Sequence, residues 1–405
     1  MIGERLGHSF SKEIHEAIAD YEYELCELSP DTVEGFIKAR EFSAINVTIP
    51  YKEVVIPYLD EIDEAARTIG AVNCIVNQDG KLHGYNTDFY GMSALISYMG
   101  LKVSGACVAV LGTGGTSKTA RAVMRSLGCE RLLTVSRTPK EDEIGYDELY
   151  QRCDEVDIIV NTTPVGMYPK NDATPVDLAR FKRLVGVVDA IYNPLSTRLV
   201  SEARAMGVNA MGGLYMLVAQ AVRAIEIFKG KPLGESVLLR QYERILKAKE
   251  NVVLIGMPSS GKTTVGAIIA DRLGRKLVDT DKLIVENAKM EIPEIFQKYG
   301  EAEFRRLEGE AVREAAAMSG VVIATGGGAI LKPENVNALK MNGKLYFIDR
   351  PLDLLMPTED RPLSRDREQI QKRYEERYPI YTSVCDYHVD GSGTPCEVAE
   401  RIIGE

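Results

Sequence analysis

Two glycine-rich stretches carry the chemistry that the sequence states most directly. Residues 252–264 read VVLIGMPSSGKTT. The spacing Gly256-x-x-x-x-Gly261-Lys262-Thr263 is that of a phosphate-binding loop, with an apolar run before it and a helical pattern, TVGAIIADRLG, after it. In such a loop successive backbone N–H groups cradle phosphate oxygens, the lysine reaches the β- and γ-phosphates, and the hydroxyl ligates Mg²⁺. Ser259, Ser260 and Thr264 complete the candidate ATP-binding set. The motif points to a nucleoside triphosphate and leaves the acceptor open. No NKxD motif follows, which argues against a GTPase.

The other stretch is VAVLGTGGTS at 108–117. Gly112-x-Gly114-x-x-Ser117, with Gly115 between, follows a strand pattern and opens a helical one, TARAVMRSLG. Glycines permit the tight turn and let a dinucleotide pyrophosphate approach the backbone at a helix N-terminus. Ser117 replaces the third glycine. The next strand ends Ser136-Arg137-Thr138, with Lys140 close by and no carboxylate at the strand end. Dinucleotide folds that read the free ribose of NAD place an acid there. A guanidinium instead suits the 2′-phosphate of NADP. The rival reading of Arg137 is a solvated surface arginine.

Both loops need strands that end at them and helices that begin there. CVAVLG (107–112), RLLTVS (131–136), VDIIVN (156–161) and LVGVVDA (184–190) are short, apolar and β-branched. A second series starts at NVVLIG (251–256) and continues with KLVDTD (276–281), GVVIATGGG (320–328) and KLYFID (344–349). Alternation with helical segments is the signature of parallel sheets covered by helices. SAINVTIP (43–50) and AVNCIVN (71–77) show the same habit earlier in the chain. Residues 214–249 are expected to be one long helical stretch, apolar at its start and charged at its end. The predicted fold is α/β throughout: a two-lobed first domain at 1–246 and a P-loop domain with a parallel sheet between helices at 247–405. Within the first, a substrate lobe takes about 1–102 plus 212–246, and a Rossmann lobe about 103–211.

At 405 residues the chain suits two or three domains of about 150 each. A formal net charge of −10 argues against general affinity for nucleic acid or anionic membranes, but not against local cationic pockets. No run approaches the roughly 20 apolar residues of a membrane span, and the N-terminus lacks a signal-peptide pattern. Seven cysteines without a CxxC pattern fit a reduced, cytoplasmic protein with no zinc site.

Residues 1 to about 245 resemble shikimate dehydrogenase. GHSFSKEIH (7–15), NVTIPYKE (46–53), GAVNCI (70–75), GYNTDFYG (84–91), GTGGTS, SRT, NTTPVGM (161–167), DAIYNP (189–194) and GGLYMLVAQA (212–221) occur in that family's order. The resemblance implies that Ser9 and Ser11 hold the substrate carboxylate. It further implies that Thr48, Asn73, Thr87, Tyr192 and Gln220 line a polyol pocket, and that Lys52 and Asp88 are the catalytic pair. Reduction of a ketone leaves an alkoxide that needs a proton, and a lysine held by a carboxylate can donate it. Taken alone, Lys52 reads as a surface lysine and Asp88 as a helix N-cap. Family members carry a few more residues before IGERLGHS, so a short, weakened first strand is expected.

Residues from about 250 to 405 resemble shikimate kinase: GMPSSGKTT, DTD (279–281), FRRLE (304–308), TGGG (325–328), RPL (361–363) and RYPIY (377–381). The resemblance implies that Asp279 sits at the Mg²⁺ and that Asp281 binds and orients the attacking hydroxyl. Arg305 and Arg377 would clamp the substrate carboxylate, with Gly327 and Gly328 approaching through backbone N–H. Arg361, on a lid, would neutralise the transferring phosphoryl group. Arg306 reads as a member of a solvated helix face. The lid segment RPLDLLMPTED is short and acidic, with no counterpart of the relatives' adenine-packing arginine.

Together the resemblances imply one enzyme that reduces 3-dehydroshikimate with NADPH and phosphorylates the product with Mg·ATP. A rival reading keeps the dehydrogenase and treats the second half as a nucleotide-sensing or stabilising module. Another has the first half oxidise quinate with NAD, which Ser136-Arg137-Thr138 disfavours.

Overall fold

The protein, described here from a computed structural model covering residues 1–6, 10–355 and 367–404, separates into two compact units, Met1–Ile245 and Leu246–Glu405. The division falls inside the helix Glu235–Lys249.

In the first unit, strand β1 (Ile2–Gly3) pairs in parallel with β2 (Cys26–Glu27). Ile2, fully buried, also bridges to Val47, so even a two-residue strand is tied on both sides. Next come β3 (Ala44–Asn46), β4 (Glu61–Ile62), β5 (Cys74–Gln78) and β6 (Lys81–Tyr85), arranged β3-β5-β6-β4. The expectation of a parallel arrangement fails here. β3 with β5 and β5 with β6 run antiparallel, and only β4 with β6 is parallel. The cause is local: Asp79 and Gly80 link β5 to β6 with φ of 52° and 84°. Two left-handed residues make the tight hairpin turn whose twist matches that of the flanking strands, and Asp-Gly is one of the pairs that adopt it readily.

The parallel pattern holds in the nucleotide lobe. β7 (Cys107–Leu111), β8 (Arg131–Val135), β9 (Ile158–Asn161), β10 (Gly186–Asp189) and β11 (Asn209–Met211) form a parallel sheet ordered β11-β10-β9-β7-β8. All residues of β7, β9 and β10 are buried, as strands covered by helices on both faces require. The first strand of the series, β7, lies between β8 and β9, so the connections leave in opposite directions beside it. Ligands of open α/β sheets bind at such a switch point, outside the carboxyl ends of the strands.

The predicted helical stretch 214–249 is two helices, Leu214–Lys229 and Glu235–Lys249. The first ends on Gly230, which caps it in the left-handed conformation at φ 63°.

The second unit holds a second parallel sheet: β12 (Asn251–Ile255), β13 (Leu277–Asp279), β14 (Val322–Ala324), β15 (Gly343–Asp349) and β16 (Tyr387–Asp390), ordered β13-β14-β12-β15-β16. One face packs Val253, Ile255, Ile323, Leu345 and Phe347 against helices. The other packs Leu254, Val322, Tyr346 and Ile348 beneath Ile269 and Val398. No helix among the described residues is long and apolar enough to cross a membrane.

Candidate active sites

The first site is assembled from the hairpin sheet and the helix Thr87–Tyr98. Lys52 Nζ donates to Asp88 Oδ2 at 2.6 Å, with both side chains half-buried. Asp88 does not cap its helix. Asn86 does, its Oδ1 accepting from Phe89 N at 3.1 Å while its Nδ2 donates to Ala71 O at 2.8 Å. The cap leaves the Asp88 carboxylate available to Lys52, in a first helical turn where negative charge is favoured.

Beside the pair lies a polar cluster. Asn73 Oδ1 accepts from Thr87 N at 2.7 Å, Asn73 Nδ2 donates to Thr87 Oγ1 at 3.1 Å, and Thr87 Oγ1 donates to Gln220 Oε1 at 3.3 Å. Asn73 and Thr87 are buried, and the helix Leu214–Lys229 supplies Gln220. Five of the predicted residues therefore converge: Lys52, Asn73, Thr87, Asp88 and Gln220. Ser11, also buried, opens the helix Ser11–Ile18. Its neighbour Phe10 meets Tyr192 edge-on at 5.4 Å between ring centroids, and burial raises the Tyr192 pKa. Thr48 follows β3 and donates its N–H to Ile2 O at 3.0 Å. Ser9 lies outside the described residues.

At the switch point, Gly112 carries φ 102°, and a Cβ built there would stand 2.9 Å from Thr162 Oγ1. Only glycine fits that approach of the loop to the end of β9. Ser117, fully buried, donates its hydroxyl to Gly112 O at 2.6 Å. The third glycine's replacement thus ties the loop closed. Gly114 caps the helix Gly115–Ser126 without a side-chain bond, and the space over Gly114 and Gly115 is open to at least 4 Å. First-turn N–H groups facing open space fit a pyrophosphate. Ser136, at the end of β8, accepts from Thr138 N at 3.2 Å, and Arg137 beside it is exposed. One neighbour escaped the sequence reading: Lys118, in the same helical turn, pairs with Glu53 at 2.6 Å.

A buried carboxyl that no motif argument used stands at the end of β10. Asp189 Oδ1 accepts from Asn161 Nδ2 at 3.0 Å and Ile191 N at 3.1 Å, and Oδ2 from Thr197 Oγ1 at 2.6 Å. Burial pushes its pKa up to about 6 against the pull of these bonds. It joins the end of β9 to the loop that carries Tyr192.

The second site lies in the other unit. The loop from Gly256 to Gly261 leads into the helix Lys262–Leu273, whose N-cap Gly261 makes no side-chain bond. Lys262, buried, donates to Gly256 O at 2.9 Å and Met257 O at 2.8 Å. Thr263 Oγ1 donates to Asp279 Oδ2 at 2.8 Å, while Asp279 Oδ1 caps the next helix through Asp281 N at 3.0 Å. Among the described residues no cluster of three or more His, Cys, Asp or Glu is placed to hold a metal alone. The Thr263–Asp279 pair is the donor set that Mg²⁺ takes when phosphates and water complete its shell.

A cleft of about 790 Å³ adjoins Pro258 and is lined by Asp279, Asp281, Arg305, Gly327, Gly328 and Arg377 among others. Arg305 Nη1 donates to Glu308 Oε2 at 2.8 Å and its Nη2 to Glu301 Oε1 at 3.1 Å. Burial opposes the charge on Arg305, but the two glutamates outweigh it and raise its pKa. Burial raises that of Glu308, with Arg305 pulling it back. Neighbouring Arg306 instead bonds the surface residues Glu303 and Glu310, as its solvated role predicts. Arg377 Nη1 donates to Gly327 O at 2.9 Å, and the buried Tyr381 hydroxyl lies 2.6 Å from Gly327 O and 2.8 Å from Gly256 O. Tyr381 thereby links the phosphate loop to the TGGG loop. Arg361 and the lid segment 356–366 lie outside the described residues. Sequence reasoning missed Glu308, Tyr381 and Arg373. Their signals were faint: a glutamate three residues after Arg305, and a tyrosine and an arginine each four residues from Arg377.

The shikimate dehydrogenase substrate-binding domain profile matches residues 1–75, and the shikimate kinase profile matches residues 258–405. The shikimate dehydrogenase (NADP(+)) of Clostridium beijerinckii is 37% identical over 244 residues, covering 56% of this chain and 90% of that protein. That of Geobacillus kaustophilus is 38% identical over 253 residues, covering 57% and 92%. Among solved structures, a chorismate mutase/shikimate 5-dehydrogenase fusion protein from Clostridium acetobutylicum aligns with a TM-score of 0.57 and 34% identity, over 60% of this chain and 95% of that one. Shikimate 5-dehydrogenase from Thermus thermophilus in complex with NADP(H) and shikimate aligns at 0.54 with 28% identity, over 60% and 97%.

Proposed function

Because the chain belongs to the shikimate dehydrogenase family over its first unit and matches shikimate kinase over residues 258–405, we propose that it is a bifunctional enzyme of two consecutive reactions. The first unit reduces 3-dehydroshikimate to shikimate with NADPH. The second transfers the γ-phosphoryl group of ATP to the shikimate 3-hydroxyl. We assign 1–246 to the first activity and 247–405 to the second.

The observation that carries the first assignment is the Lys52–Asp88 contact beside Asn73, Thr87 and Gln220. Bound NADPH supplies the hydride. Lys52 gives its proton to the nascent alkoxide oxygen, and Asp88 holds the ammonium in place and stabilises its charge. Asn73, Thr87, Gln220, Thr48 and Tyr192 present donors and acceptors to the ring hydroxyls, while Ser9 and Ser11 receive the carboxylate. Gly112, Gly114, Gly115 and Ser117 hold the pyrophosphate, and Ser136, Arg137 and Thr138 read the 2′-phosphate.

In the second unit Asp281 orients the attacking hydroxyl, Arg305 and Arg377 meet the carboxylate, and Gly327 and Gly328 frame it. Lys262 turns from its two carbonyl partners to the phosphates, within the loop Gly256–Thr264. Thr263 and Asp279 would hold Mg²⁺, which offsets phosphate charge when bound. Arg361 belongs to the same phosphoryl-neutralising set. Phosphoryl transfer depends chiefly on such positioning and neutralisation. Free cysteines throughout the described residues and the acidic net charge support a cytoplasmic enzyme of small anionic metabolites rather than a nucleic-acid or membrane binder.

The test is one assay with 3-dehydroshikimate, NADPH and Mg·ATP. NADPH should be consumed and shikimate 3-phosphate should accumulate, with a higher kcat/KM for NADPH than NADH. Accumulation of shikimate without its phosphate would refute the kinase assignment and leave the second unit a nucleotide sensor or a stabilising module.

A further inference from the structure

In the second unit one tyrosine hydroxyl stands between two carbonyls. Tyr381 Oη lies 2.6 Å from Gly327 O and 2.8 Å from Gly256 O. Burial pushes the Tyr381 pKa up against the pull of Arg377, so the hydroxyl keeps its single proton and can give it to one carbonyl at a time. Each carbonyl has another donor. Gly327 O accepts from Arg377 Nη1 at 2.9 Å, and Gly256 O accepts from Lys262 Nζ at 2.9 Å. Three donors thus serve two carbonyls.

The third donor matters because Lys262 has another task. Its ammonium bonds Gly256 O and Met257 O, and it turns to the phosphates when a nucleoside triphosphate fills the loop. Met257 O then keeps a donor, since it also accepts from Ser260 N at 3.1 Å. Gly256, buried directly after β12, has the Tyr381 hydroxyl in reach. A buried acceptor left bare would set its desolvation cost against nucleotide binding. We propose that Tyr381 is a positioning residue for nucleotide binding: its hydroxyl turns to Gly256 O as Lys262 departs for the phosphates, while Arg377 keeps Gly327 O. It acts through Lys262 and takes no part in the transfer step. The inference rests on the ATP-site part of the kinase assignment, and its test needs no turnover.

Binding of a non-hydrolysable ATP analogue, Mg·AMPPNP, to the full chain is measured by calorimetric titration for wild type, Tyr381→Phe, Lys262→Ala and the double variant. Phenylalanine keeps the ring that stacks on Phe347 at 4.9 Å between centroids, and the two carbonyls keep Lys262 and Arg377, so the fold without nucleotide should hold. Tyr381→Phe should weaken binding about tenfold, the scale of baring one buried carbonyl. In the Lys262→Ala background the hydroxyl already serves Gly256 O before the nucleotide arrives. There the same substitution should change affinity by less than about twofold. A merely structural role would weaken both backgrounds alike, and that result overturns the proposal, as does an unchanged Kd in Tyr381→Phe. Absence of binding by wild type would refute the ATP site and the proposal with it. Binding by wild type without phosphorylation of shikimate would refute the kinase assignment alone, and the same four affinities would still decide the role of Tyr381.

Discussion

Lys52 and Asp88 show how a neighbour decides what a side chain can do. An aspartate two residues into a helix serves by default as a cap or a solvated charge. Here Asn86 takes the capping role, so the Asp88 carboxylate is available to bond Lys52 at 2.6 Å. Lys52→Ala should therefore cut dehydrogenase kcat by about 10²–10⁴ and change the KM for 3-dehydroshikimate much less, the span expected for a lost general acid. Wild-type turnover in that variant would remove Lys52 from the mechanism. Asp189 yields a prediction of the opposite kind, about stability. Its carboxyl titrates near 6 in the folded chain, above the 3.8 of an unperturbed aspartate, because burial disfavours the charged form. The folded state then binds the proton more tightly than the unfolded state. The group's contribution is fully favourable below about pH 4 and is lost as pH rises toward 6, by about 3 kcal/mol in all. Asparagine preserves the oxygen that Asn161 and Ile191 bond, and Thr197 can turn its hydroxyl to accept. Asp189→Asn should thus flatten the dependence of the melting temperature of this unit between pH 4 and 6, and gain on wild type above it. Parallel curves for the two proteins would show that Asp189 is not the titrating group.

The elements were legible to differing degrees, for physical reasons. The glycine loops and the strands feeding them were plain, because a phosphate site built from backbone N–H groups constrains residue type at fixed spacing. Strands β7, β9 and β10, buried on both faces, lack any alternation and read as parallel from composition alone. The hairpin β5–β6 misled the same reasoning, since its apolar residues also cluster. The missed clue was the Asp79-Gly80 turn, a more local signal than strand composition. The break at Gly230 escaped because a helical pattern, now more charged, resumes beyond it at Glu235. Asn73, Thr87 and Gln220 come from the residue before β5, a helix start and a helix 133 residues further on, so only the family resemblance could gather them. Glu308 closes the quoted FRRLE without a role of its own and Arg373 belongs to no quoted motif, so both emerge only when the cleft is seen. The helix Thr87–Tyr98 carries two of the gathered residues and is anchored by Asn86, which bonds both its first turn and Ala71. Asn86→Ala should destabilise this unit by about 1–2 kcal/mol and lower dehydrogenase activity at temperatures where the fold still holds. An unaltered melting temperature would show that the cap does not anchor the helix.

At the scale of the chain, each unit has its own sheets, its own buried cores and its own candidate site. The chemistry joins them: a ketone reduced at one site becomes the hydroxyl that the other phosphorylates. Separate cores and separate chemical groups predict that either activity can be removed without the other. Lys262→Ala deletes the ammonium of the phosphate loop and should lower shikimate phosphorylation by about 10²–10³, the scale of losing one preorganised charge at the transferring group. NADPH oxidation with 3-dehydroshikimate should continue at its wild-type initial rate. Lys52→Ala should do the reverse, blocking NADPH oxidation while added shikimate is still phosphorylated. Mixing the two variants should restore flow from 3-dehydroshikimate to shikimate 3-phosphate after a lag, as shikimate released by one molecule builds up to the KM of the other. A wild-type chain that shows the same lag passes its intermediate through solution. A wild-type chain without it, at matched activities, holds the intermediate close, and only then does fusion of the two units alter the kinetics as well as the stoichiometry.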